Sequence, residues 1–184
     1  MPIDPEVKFK KTVANLRPEQ TPQWAKKLSD AIDGLVTNKA QLAGITGSVV
    51  FTFNKSVFMA QLMALTFTPV AAVAAQIIGL AWGTAMQAST MVVPAGSYLG
   101  TPSPATIWSV VTASMIDPPS IAAAQAGLIS TLSVMQAVKN AEDSALGSAL
   151  YKAFTQCTAT VSGLDSTPSP SGPLPLSSPL TPFQ

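Results

Sequence analysis

The chain has no histidine, one cysteine and few charges: of its 184 residues, ten are Lys or Arg and nine are Asp or Glu. Each shortage excludes a class of chemistry. Without histidine there is no imidazole general base, no Ser-His-Asp or Cys-His arrangement and no histidine-ligated zinc. A single cysteine excludes an internal disulfide framework and a thiolate cluster. The net charge of +1 gives no electrostatic footprint for nucleic acid. Charged residues make up 10% of the chain, against about 25% in an ordinary domain. Apolar residues make up 47%, which excludes a highly charged disordered chain. The length suits one domain with a sizeable core.

What is present is unevenly distributed. Thirteen of the nineteen charges lie in residues 1–55. From Ser56 to Ile116, 61 positions, there is none. The last residues, 163–184, hold Pro168, Pro170, Pro173, Pro175, Pro179 and Pro182 among serines and threonines. This divides the chain into an extended arm (1–20), a mainly helical domain (21–162) and a Pro/Ser-rich tail (163–184). The prolines exclude a helix from the tail and exclude most of it from a central strand. Met1–Thr21 is polar and charged and lacks the apolar stretch of a secretory signal.

The class expected is mainly α. Thr21-Pro22 is a helix start, and Trp24, Leu28, Ala31, Ile32 and Leu35 then form one apolar stripe to about Val36. Residues 44–53 are rich in β-branched and aromatic side chains and read either as a short strand near 45–53 or as an extended linker. Ser56 is the expected cap of a helix to about Thr66, and Pro69 precedes another over 70–87. Ser103-Pro104 is read as the start of a helix carrying Ile107, Trp108 and Val111. Asp117-Pro118-Pro119-Ser120 opens the longest one, over 121–157, with Gly127 and Gly147 as weak points.

No residue cluster carries chemistry. Cys157 has no base to activate it and reads as a small buried hydrophobe. Asp30 with Asp33, and Glu142 with Asp143, read as surface charge. Lys8, Lys10, Lys11 and Arg17 form a basic arm too sparse for nucleic acid. Gly79 and Gly83 form a G-x-x-x-G pair, a close-packing face for helices. No catalytic residue, cofactor, metal or small-molecule substrate is expected. The candidate interface residues are Trp24, Leu28, Ile32, Trp82, Trp108, Phe154, Pro173, Pro175 and Phe183, because large apolar and aromatic side chains anchor interfaces.

Four stretches carry a resemblance: Trp24-Ala-Lys-Lys-Leu-Ser-Asp-Ala-Ile-Asp-Gly-Leu-Val36, Leu150-Tyr-Lys-Ala-Phe154, Thr158-Ala-Thr-Val-Ser-Gly163, and the Pro/Ser-rich end. Together they resemble short structural proteins of tailed-phage virions, from the tail, baseplate or neck region, or of related contractile injection systems. The resemblance implies a virion location and a non-enzymatic subunit whose partners are its own copies and other virion proteins. The apolar composition leads independently to a packing role, with helices and extended termini meeting neighbours. The alternative is a small membrane protein with a helical hairpin at about 57–93, a stretch apolar enough to be considered but interrupted by Gln61, Pro69 and Gln76.

Overall fold

The computed structural model describes residues 5–14, 22–39, 41–42, 45–46, 49–63, 71–93, 98–99, 106–137, 144–165 and 176–181. Most of these are helical: α1 (Glu6–Ala14), α2 (Pro22–Val36), α3 (Lys55–Met63), α4 (Ala71–Gln87), α5 (Pro118–Ala137) and α6 (Ser144–Gln156). The strands are β1 (Gln41–Leu42), β2 (Ile45–Thr46), β3 (Val50–Thr52), β4 (Thr90–Val92), β5 (Tyr98–Leu99), β6 (Thr106–Ile116), β7 (Thr158–Asp165) and β8 (Leu176–Thr181). The chain is mainly α, and strands fall within 45–53 as expected.

The helices pack in chain order, each on the next, and α6 returns to α1 to close a ring. Aromatic side chains fill the ring, and Phe154 of α6 is their hub. Its ring centroid lies 6.1 Å from Phe9 of α1, 5.6 Å from Phe53 ahead of α3, and 5.5 Å from Trp82 of α4. The Phe53 and Trp82 contacts are edge-to-face, the arrangement the ring quadrupoles favour. Phe53 also meets Phe58 at 5.6 Å, and Phe9 meets Tyr151 at 5.5 Å. Burying each such side chain contributes about 1.5–3 kcal/mol. Trp82 Nε1 is buried and has no hydrogen-bond acceptor among the described residues.

The turn between α2 and β3 fixes the first layer. Asn38 ends α2 in the left-handed region, at φ 58°, which Asn tolerates better than most residues. Its N–H donates to Phe51 O at 2.7 Å, and Thr37 Oγ1 accepts from Phe53 N at 3.1 Å. The outer edge of β3 is therefore occupied by the end of α2. On its inner edge β3 pairs antiparallel with β4, Phe51 opposite Met91. Asn54, rather than Ser56, caps α3: its Oδ1 accepts from Val57 N at 3.1 Å, while its own N–H donates to Ser89 Oγ at 3.0 Å. That one residue ties the start of α3 to the end of α4.

Three glycines set how closely helices meet. A Cβ at Gly79 would stand 2.2 Å from Ile129 Cγ1, and one at Gly83 would stand 2.1 Å from Gln125 Oε1. The G-x-x-x-G pair is thus a seam between α4 and α5 of the same chain. A Cβ at Gly147 would stand 2.7 Å from the Phe9 carbonyl oxygen. Gly147 is therefore the point where the α1 backbone lies against α6, more than a weak spot in a helix.

Several expectations require correction. Residues 6–14 are helical rather than extended: Pro5 sits just ahead of the first turn, where a missing N–H costs nothing, and Phe9 and Val13 give the buried stripe. Residues 106–116 form β6, not a helix. Ile107, Trp108 and Val111 fit helical spacing, but Thr106, Ile107, Trp108, Val110, Val111 and Thr112 are β-branched or aromatic and prefer a pleated strand. The helix expected over 121–157 is two helices packed on each other, α5 and α6, with 138–143 outside the described residues. Pro118 does stand at the first position of α5.

The strands β1-β8-β7-β6-β5-β2 form one antiparallel sheet in that order. The α5–α6 pair is inserted between β6 and β7, and Asp117 fastens its base. The Asp117 N–H donates to Thr158 O at 2.9 Å, and Thr158 Oγ1 donates to Asp117 Oδ2 at 3.1 Å. Part of the tail does join this sheet between two strands, as β8, with Pro179 opposite Thr158. On its other side β8 pairs with β1 at Leu180 and Thr181.

The seam generates a contrast. Gly79→Ala gains helix propensity but must displace Ile129, and should lower unfolding stability by about 1–2 kcal/mol. Gly34→Ala on α2, where nothing lies within 4 Å, should raise it by about 0.5–1 kcal/mol. Urea unfolding of both variants measures the difference.

Candidate functional site

Leu28, Ile32, Trp82 and Phe154 are each fully buried in this chain's own core. They have no surface to offer a neighbour. Trp24 is half-buried against the same core. Trp108 lies in β6 opposite Asp165. Pro173, Pro175 and Phe183 lie outside the described residues, as do Glu142 and Asp143.

The surface that remains is divided by charge. The helices α4 and α5 contain no ionisable side chain, and α3 has only Lys55, in its first turn. Across the ring, α1 and α2 carry Glu6, Lys8, Lys10, Lys11, Lys26, Lys27, Asp30 and Asp33. The outer side of α4 presents Ala72, Gln76, Leu80, Thr84 and Gln87. The outer side of α5 presents Ala122, Ala123, Ala126, Gly127, Ser130 and Val134. Leu80 is 53% exposed and Val134 65% exposed. Next to the helices, Val50 and Val92 pair across β3–β4 with both side chains outward. Sequence reasoning missed these residues because it sought the largest side chains, which the core takes. The clue was Leu80, four residues from both Gln76 and Thr84 on the polar side of an otherwise apolar helix.

On the charged side, Lys55 Nζ lies 3.2 Å from Asp30 Oδ1 and 3.1 Å from Asp33 Oδ2. The carboxylates hold the Lys55 ammonium above its usual pKa, Asp33 first, by hydrogen bonding. This is an exposed bridge between α2 and α3 of the kind that contributes little stability. Glu6 Oε1 accepts from Ser148 Oγ at 2.6 Å and pairs with Lys10 at 2.9 Å. The Ser148 hydroxyl first, then Lys10, lowers the Glu6 pKa below the usual 4.5. Cys157 is buried, its thiol donating to Ala153 O at 3.5 Å, and burial pushes its pKa up to about 12. Among the described residues no three acidic or sulfur side chains converge as a metal site requires. Also among the described residues, no helix is long and apolar enough to cross a membrane. The stretch 57–93, considered as a spanning hairpin, holds helices of nine and 17 residues and then a strand.

No protein-family model, curated protein or solved structure matches the chain. The site must therefore be read from its own chemistry: a core without reactive groups, a charged side, and an uncharged side.

Two outcomes follow from these groups. The Cys157 thiol should resist iodoacetamide at pH 8 in the folded protein and react once urea is added, as mass spectrometry reads directly. For Glu6, the folded-state pKa is depressed, so its contribution is present above pH 4.5 and disappears as pH falls through the lowered value. The protection factors of the amides in residues 6–14 should therefore fall as pH drops through that range, and Glu6→Gln should remove this dependence.

Proposed function

We infer that this chain is a non-enzymatic structural subunit of a larger protein assembly, and that it meets its neighbours through the uncharged side formed by α4 and α5. The observation that carries this reading is the segregation of charge around the ring. A helix facing water alone usually alternates charged and polar residues, because charge keeps copies apart and soluble. Here two adjacent helices have none, while α1 and α2 across the ring have eight within them.

A face of this kind suits burial against protein. No charge has to be desolvated, and the small side chains of α5 permit close backbone approach. The helix α5 has 20 residues and so is about 30 Å long. With α4 beside it, the face is roughly 30 by 20 Å, about 600 Å² from one partner, the lower range for a specific interface. The placement in a phage virion or injection system rests on the sequence resemblance alone, and the packing role does not depend on it. The membrane alternative has less in its favour, since neither α3 nor α4 has the ~20 residues that a span needs.

The reading predicts self-association that charge on this face abolishes. Leu80→Glu with Val134→Glu changes two exposed positions and should leave unfolding stability within about 0.5 kcal/mol at each. Sedimentation velocity should show concentration-dependent association of the natural chain and a loss of it in the double variant. A natural chain that stays monomeric at every concentration, with the variant indistinguishable, would overturn the reading.

A further inference from the structure

We propose that the six-stranded sheet is a closed antiparallel barrel, sealed where β1 meets β2, and that it therefore offers a neighbouring chain no edge for strand addition. The order β1-β8-β7-β6-β5-β2 makes β1 and β2 the two edge strands. Yet they are consecutive in the sequence, Gln41–Leu42 and Ile45–Thr46, with two residues between them.

Three observations carry the closure. The first is distance. Laid flat, a sheet of this order would hold its edges five strand spacings apart, about 24 Å. The edges would also be displaced lengthwise. β5, and with it β2, pairs at the Thr106 end of β6, whereas β8 and β1 lie by way of β7 at its Ile116 end, and β6 is 11 residues long. A connection of two residues lets the Leu42 and Ile45 Cα atoms stand no more than about 11 Å apart. The sheet must therefore curl until its edges come together, and the lengthwise offset is the stagger that tilted barrel strands require. The second is direction. β8, β7, β6 and β5 pair antiparallel in turn, so β8 and β5 run in opposite directions. β1 runs against β8 and β2 against β5, so β1 and β2 also run in opposite directions. Oppositely directed strands two residues apart have the spacing of the tightest hairpin. In such a hairpin the residues flanking the turn, here Leu42 and Ile45, exchange both backbone hydrogen bonds. The third is curvature. The register of β6 against β7 shifts between Trp108 and Val110 and again between Val111 and Ala113, and bulges of this kind bend a strand and increase its twist.

Closure limits what the sheet can do in an assembly. An open edge is a template on which another chain can lay a strand, and a closed barrel has none. β8 is then held on both sides, by β7 and by β1, so residues 176–181 belong to the barrel wall and are not an arm for a neighbour. The sheet keeps its backbone donors and acceptors to itself, and strand pairing between copies is closed off. This stands apart from the uncharged α4–α5 side, since neither helix contributes a strand to the barrel.

Nuclear magnetic resonance on the full chain tests this, with Leu80→Glu and Val134→Glu present to keep copies apart, both positions lying outside the sheet. The expected result is a close Hα–Hα contact between Gln41 and Thr46, the pair next out from the turn, alongside the backbone contacts of β1 to β8 and of β2 to β5. The amides of Leu42 and Ile45 should exchange at least about tenfold more slowly than in an open chain. If β1 meets β8 and β2 meets β5 but the Gln41–Thr46 contact is missing, or the Leu42 and Ile45 amides exchange freely, the sheet has two open edges and the proposal is overturned. Absence of the β1–β8 or β2–β5 contacts overturns it as well, because the edge strands it joins are then not in the sheet. Sedimentation of the natural chain beside the same variant reads the helices separately. Association that the two glutamates abolish supports the assembly reading whether or not the barrel is closed, and a natural chain monomeric throughout overturns that reading alone.

Discussion

The architecture depends on one side chain meeting several others. Phe154 on α6 receives Phe9 from the first helix, Phe53 from the strand-to-helix junction and Trp82 from α4. Those three come from separate parts of the sequence and share no local constraint. Their rings pack around a fully buried neighbour, which fixes α6 relative to α1, α3 and α4 together. The glycines complete this arrangement. Gly147 lets α1 sit low enough for Phe9 to reach the hub, and Gly79 and Gly83 draw α5 onto α4. Hydrogen bonds at Asn38, Asn54 and Asp117 then hold the ends of the elements in register with that packing.

This core changes the meaning of the apolar composition. A chain with so few charges could have lacked a hydrophobic interior of its own and drawn its stability from neighbours. The aromatic residues instead close around each other inside one chain. What is left on the surface of α4 and α5 is gentler: alanine, serine, threonine and glutamine, with Leu80 and Val134 standing out. Such a face lacks the large anchors typical of tight binding. It suits many weak, repeated contacts better than one strong one.

Much of the helical layout was legible because its signals are local. The Thr21-Pro22 start, the stripe from Trp24 to Leu35, the apolar run after Pro69 and the Pro118 start each need only neighbouring residues to be read. The errors lie where a local pattern fits two answers. Ile107, Trp108 and Val111 match helical spacing, yet their β-branched company places them in a strand that needs a partner some fifty residues on, as Trp108 opposite Asp165 illustrates. Gly79 and Gly83 announce a close approach without saying whose helix approaches. The burial of Phe9 is not legible locally, because Phe154, which packs on it, is far away in sequence. The candidate surface was hardest to read, since it is defined by what the core leaves over.

The ring closes between its first and last helices, and this has a consequence for biosynthesis. When α1 leaves the ribosome, the residues that will bury Phe9 have yet to be translated. Until α6 is translated, the nascent chain carries Phe9, Phe53 and Trp82 without their common partner. The sheet waits longer still, because β8, which lies between β1 and β7, follows α6 in the sequence. The aromatic core of this molecule therefore closes only once α6 has been made, and a premature stop anywhere before α6 leaves a product with no completed core to keep it from aggregation or degradation.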